Sequence, residues 1–173
     1  AIALNYSYTD VYNSIFVNNT GCSHGGCGAS VFGGLSTFIN VTIYSNRIPV
    51  GSGGRGSAIL AFCEDSTKVE IYNSIMWDNH PDEIEIEHCA QLNIQYSNTI
   101  HDGPGNFYSD PRFINPHFGN LHLESDSPCI DAGNGDVALS TDAEGNPRHD
   151  TPFISNSGVE TLEFVDIGAY EYE

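Results

Sequence analysis

Positive charge is scarce in this chain. Five Lys plus Arg stand against 23 Asp plus Glu, a formal net charge of −18, and Lys68 is the only lysine. That imbalance excludes nucleic-acid backbones and anionic membrane surfaces as default partners, because both repel it. Long apolar runs are missing: none reaches the roughly 18 residues that a membrane-spanning helix needs. No stretch repeats apolar residues at i, i+3, i+4 and i+7 over three turns, so amphipathic helices are not expected. Cysteine is sparse and odd in number, five in 173 residues, which excludes a small disulfide scaffold. Charged residues make up only 16% of the chain, and its polarity comes instead from Asn, Ser and 18 Gly, which suit turns and edges. With 39% hydrophobic and 11% aromatic residues the chain is not disordered by composition, and its length suits one domain around one core. It opens Ala1-Ile2-Ala3-Leu4, without a methionine or a basic leader, as expected of a mature or excised piece.

What is present is a repeat. Thr9 to Asn19 (TDVYNSIFVNN), Ser36 to Asn46 (STFINVTIYSN) and Val69 to Asn79 (VEIYNSIMWDN) align without gaps, and LNIQYSNTI from Leu92 follows more loosely. The anchors Asn13, Asn40, Asn73 and Ser97 are 27, 33 and 24 residues apart. Around each anchor the apolar residues alternate at period two, which is strand spacing. Such a unit cannot bury its apolar face alone, but stacked units bury a continuous core. The expected fold is therefore all-β, a parallel β-helix (β-solenoid) of about four coils. Equivalent residues would then stack about 4.8 Å apart. Asn13, Asn40 and Asn73 are the candidates for a side-chain amide ladder up the stack, or simply for turn formers. The longer second interval falls in Pro49 to Ser57 (PVGSGGRGS), a loop bulging from one coil where a solenoid can place binding groups.

From about residue 109 the rhythm stops and prolines cluster. Residues 1–108 are expected to form the coils, and 109–173 a loop-rich C-terminal cap over the last coil, whose open edge would otherwise be exposed. Cys63 and Cys89 fall near one turn position of adjacent coils, within disulfide range of each other. Cys22 and Cys27 flank Ser23-His24-Gly-Gly, where a local disulfide or two free thiols is favoured over a metal. Cys129 is expected to be buried and reduced. Asp82 to Glu87 (DEIEIE) reads as a half-buried strand with Ile84 and Ile86 inside and the acids outside.

The tail motifs Asp110-Pro-Arg-Phe, Ser127-Pro-Cys-Ile-Asp-Ala-Gly133, Asp142-Ala-Glu-Gly-Asn-Pro-Arg148 and Asp166-Ile-Gly-Ala-Tyr-Glu171 resemble the C-terminal part of secreted bacterial right-handed β-helix proteins of the choice-of-anchor Q type. Phe16-Val-Asn-Asn19 followed by His24-Gly-Gly26 is similar to the FxxN and GG[AI] repeats of polymorphic outer-membrane proteins. The resemblance implies a right-handed β-helix on a cell surface or secreted, and little about activity.

In the tail, Arg148 offers five donors, with Asp131, Asp142, Asp166 and Glu171 as acceptors for a scaffold network. Asp131, Asn134 and Asp136 present hard oxygens on a flexible turn, so calcium is the cofactor that would suit this chain. Asn-Thr-Asp, Asp-Asp, Gly-His-Gly and Arg-Ile-Lys motifs of pectin-type hydrolases are missing, and bases for a lyase are few. The expected function is thus a non-catalytic extracellular or cell-surface structural or adhesive module. Its partners would be further copies joined head-to-tail through Ala1 to Tyr8, other surface components, or glycans. The alternative is a carbohydrate-active enzyme or a glycan-binding remnant of one, marked by acids converging with an Arg or Lys in a groove.

Overall fold

The computed structural model describes residues 1–62, 66–159 and 161–172. The period-two segments are strands: β1 (Ile2–Tyr12), β2 (Ile15–Val17), β3 (Ala29–Ile39), β4 (Thr42–Tyr44), β5 (Ile59–Phe62), β6 (Lys68–Tyr72), β7 (Ile75–Trp77), β8 (Ile84–Ile86) and β9 (Gln91–Gln95). They form a parallel β-solenoid. In the large sheet β1 pairs with β3, β3 with β5 and β6, and these with β8 and β9. A second sheet stacks β2, β4 and β7. Four levels of the large sheet make about three turns, fewer than four full coils, because the chain leaves the stack after β9.

The pairings of the first three levels are in the register that the repeat predicts. Tyr12, Ile39 and Tyr72 align, so Asn13, Asn40 and Asn73 occupy one corner. All three have positive φ, from 44° to 52°, which Asn tolerates better than other side chains do. The fourth anchor shifts by one residue. Tyr72 pairs with Gln95, which puts Tyr96 rather than Ser97 at the corner. The inward residues of successive levels, Val11, Phe38, Ile71 and Ile94, build the core with Val31, Ile43, Ile59 and Met76.

The amide ladder exists, but one corner further on. Asn19 Nδ2 donates to Asn46 Oδ1 at 2.8 Å, and Asn46 Nδ2 to Asn79 Oδ1 at 3.0 Å. Each of those oxygens also accepts the backbone amide of the level before. Asn13, Asn40 and Asn73 do not form the expected ladder. Their side chains turn outward to the tail: Asn13 to Thr141 O, Asn40 to Asp166 O and Gly168 O, Asn73 to Asn134 O. The two corners differ because one side chain points along the stack and the other across it.

The tail is loop-rich, with a short antiparallel pair, β10 (Phe113–Asn115) and β11 (Asn120–Leu123). It lies along the side of the stack and not over its last coil. Phe113, Leu121, Leu123, Cys129, Ile130 and Ile167 pack with Tyr44 and Ile75, forming a second core. The last level is met instead by the Gly103–Asn106 loop, where Asn106 Nδ2 donates to Ile94 O and Tyr96 N to Pro104 O. Among the described residues, no helix is long and apolar enough to cross a membrane.

Candidate functional site

The tail residues singled out by sequence are scaffold. The Arg148 guanidinium meets Glu171 at 2.7 Å with both side chains almost wholly buried, 2% and 1% exposed. It also donates to Leu139 O, Thr141 O and, at 3.4 Å, Asn13 Oδ1. Of the four acids expected around Arg148, only Glu171 touches it. Asp142 accepts the amides of Glu144, Asn146 and Glu171. Asp166 accepts those of Asp131 and Tyr172. Burial, and then the nearby Glu171 carboxylate, pushes Asp166 well above the usual carboxylate range. Asp131 is buried at a positive φ of 51°, and desolvation raises it to about 6. Its carboxylate oxygens have no hydrogen bond; the Thr151 backbone amide lies near enough to oppose that rise without standing in bonding geometry.

The expected calcium set does not assemble around one point. Asn134 Oδ1 accepts the amide of Asp136 at 2.9 Å, Asn134's backbone is bonded to Asn73, and Asp136 is exposed while Asp131 is buried. Among the described residues, no group of three His, Cys, Asp or Glu stands close enough to hold a metal.

Cys22 and Cys27 form a disulfide, with Cα atoms 5.4 Å apart. Cys89 is disulfide-bonded, and Cys63, its expected partner, lies outside the described residues. Cys129 is a free, buried thiol that desolvation pushes up to about 12. The sequence holds three N-x-S/T triplets, Asn5-Tyr-Ser, Asn18-Asn-Thr and Asn40-Val-Thr; Asn40 is buried and its amide is bonded to the tail, whereas Asn5 and Asn18 are exposed.

A concave surface lies where the second sheet ends and the chain turns back. Its central depression, of about 450 Å³, is lined by Trp77, Asp78, His80, Glu83, His101 and Tyr108 among others. Trp77 closes β7, and Tyr108 reaches it from the segment entering the tail, ring centroids 4.6 Å apart. Asp78, at a positive φ of 56°, is held by Arg47 of the preceding level at 2.7 Å and by His80 at 3.0 Å. Glu83 forms the floor. It is only 4% exposed, and its Oε2 accepts Thr99 Oγ1 at 2.9 Å and the Ile100 amide at 3.4 Å. Burial raises it to about 7, against the pull of those two donors. His101 beside it is held neutral by burial, with its Nε2 enclosed and lacking a hydrogen bond.

Sequence reasoning placed Glu83 outside the strand, and this is corrected: Ile84 is inside as expected, but Glu83 precedes β8 and turns inward. Glu85 and Glu87 do stay outside the core. Two further depressions adjoin the first. One, of about 360 Å³, shares Tyr44 and Trp77 with it and is bounded by Asp110, Arg112 and Glu124. The other, of about 490 Å³, shares His80 and Pro81 and is bounded by the Pro49–Gly54 loop. The bulging loop noted in the sequence is thus one wall of a trough. The chain matches no family model, no curated protein and no solved structure.

Proposed function

We propose that this chain is an extracellular or cell-surface β-solenoid module of the choice-of-anchor Q type that holds a partner by adhesion, without catalysis. The observation that carries the reading is the trough: a run of open depressions beside Trp77 and Tyr108 on a rigid stack. Concave, partly apolar surfaces with a few placed polar groups are where folds bind ligands. The Cys22–Cys27 disulfide supports an oxidising home, since such bonds persist outside the cytosol. The tail motifs that carry the family resemblance act here as scaffold, in keeping with a fold that fixes a surface and not a reaction. The test is retention of protein-coated beads on intact cells and on polysaccharide-coated glass. Retention is expected for the native chain and not for Trp77→Ala; equal retention of both would sink the reading.

Head-to-tail assembly belongs to the same proposal. β1 lies at one end of the large sheet and β8 at the other, beside β9 whose edge the Gly103–Asn106 loop covers, so a second copy shifted along the axis can continue the ladder at β8. Electron microscopy of the native protein checks it: filaments support assembly, and uniformly single particles at high concentration remove it.

One observation favours the enzymatic alternative. Glu83, raised to about 7 in a groove, has the protonation a general acid needs. A partner carboxylate is less well provided, because Asp78 is already tied to Arg47 and His80. Release of reducing ends from a polysaccharide by the native chain but not by Glu83→Gln would establish the alternative.

A further inference from the structure

We infer that the trough takes a linear, uncharged polysaccharide chain, lying across successive levels of the stack with one sugar ring against the Trp77–Tyr108 pair. This rests on the adhesive reading above and names its partner.

The three depressions are contiguous, joined by Tyr44 and Trp77 on one side and by His80 and Pro81 on the other. A row of connected hollows suits an extended chain better than a single compact molecule. At its centre Tyr108 is 55% exposed against the indole of Trp77. An exposed aromatic face offers a flat apolar surface to the C–H face of a sugar ring. Around it stand groups that bond hydroxyls in both senses. Asp78 accepts while the Arg47 guanidinium beside it donates. Both hydrogen bonds to Glu83 fall on Oε2, which leaves Oε1 for a ligand.

Charge decides which polysaccharide. Asp78, Asp82, Asp110 and Glu124 line the trough, in a chain carrying −18 overall. Its arginines, Arg47 and Arg112, are each engaged by an acid, Asp78 and Asp126. A uronic-acid polymer would meet repulsion with no free arginine among the described residues of the trough to offset it. A basic peptide would meet the right sign, but extended peptides bind by main-chain hydrogen bonds to an open strand edge. The trough runs across strand ends whose backbone groups are already paired level to level, as Ser45 N with Trp77 O and Ile48 N with His80 O.

Trp77 is the sole tryptophan, so its fluorescence reports the trough directly. The native chain is titrated separately with oligosaccharides of neutral glucan, mannan, xylan and galactan, with oligogalacturonate, and with oligolysine. A saturable emission change with at least one neutral chain is expected, and neither charged probe should compete. Tyr108→Ala should weaken that binding about tenfold, the scale of a lost aromatic contact. Glu85→Gln, outside the trough, should leave it unchanged. Tyr108 is exposed, so its variant keeps the fold; circular dichroism confirms that. Saturation only by oligogalacturonate or oligolysine, no change with any neutral chain, or unaltered affinity in Tyr108→Ala would overturn the inference. If beads still adhere to cells while no neutral chain binds, the adhesive reading stands and the polysaccharide falls.

Discussion

The coils and the tail solve the same problem with opposite means. In the coils, the strand amides of one level pair with carbonyls of the next, so stability repeats with the stack and one amino-acid pattern serves successive levels. The tail has few such ladders. It is pinned by individual side chains: Arg148 on Glu171, Asp142 and Asp166 on loop amides, and Asn13, Asn40 and Asn73 reaching out from the stack. Repetition spreads stability over many equivalent bonds, while a network concentrates it in a few buried groups whose loss strands their partners.

That contrast predicts where single changes hurt most. Arg148→Met should cost about 3–5 kcal/mol, because it leaves Glu171 charged and unpaired in the interior. Hydrogen exchange should then show the tail opening while β3 and β6 stay protected; simultaneous loss of both would mean that the two regions form a single cooperative unit. Glu83→Gln has a pH signature. Its folded carboxyl is raised from 4.5 to about 7, so the folded state favours the protonated form. The stabilisation is therefore complete below about pH 4.5 and is lost as pH rises through 7. The Gln variant escapes that loss. By urea denaturation it should be the more stable protein at pH 8, by up to about 3 kcal/mol, with the gap narrowing toward pH 4. A constant gap would mean that Glu83 titrates normally.

The two asparagine corners sharpen the comparison further. Asn46→Ala removes a ladder rung and strands the Phe16 carbonyl and the Asn19 amide, at a cost of about 2–3 kcal/mol. Asn13→Ala, which breaks the bond to Thr141 O and the long 3.4 Å one from Arg148 at a partly exposed site, should cost about 1 kcal/mol. The reverse order would return the ladder to the corner that sequence reasoning chose. The smallest effect is chemical. Peptide mapping without reduction should recover Cys22–Cys27 and Cys63–Cys89, and Cys129 should resist alkylation until the chain unfolds. Labelling of native Cys129 would contradict its burial.

Sequence reasoning found the solenoid because alternation and an Asn recurring at the corner of three levels are local properties. It misplaced the ladder because Asn13 and Asn19 sit at similar corners, and spacing carries no record of which way a side chain points. It read Glu83 as surface because period two describes strands, and Glu83 lies just outside one, where Thr99 and Ile100 draw it in. It recognised the bulging loop but not the hollow that the loop walls.

By itself, then, the amino-acid order determined the strands and the register of the first three levels, since each follows from contacts between equivalent residues of a repeat; the looser fourth repeat is shifted by one residue. Only the tertiary structure decided that the tail runs along the flank, that Arg148 chooses Glu171 from four acids, and that Trp77, Glu83, His101 and Tyr108 share one trough. Those residues come from different levels and from the tail, so no periodicity relates them. Their meeting is fixed by how the non-repeating tail packs on the repeating stack.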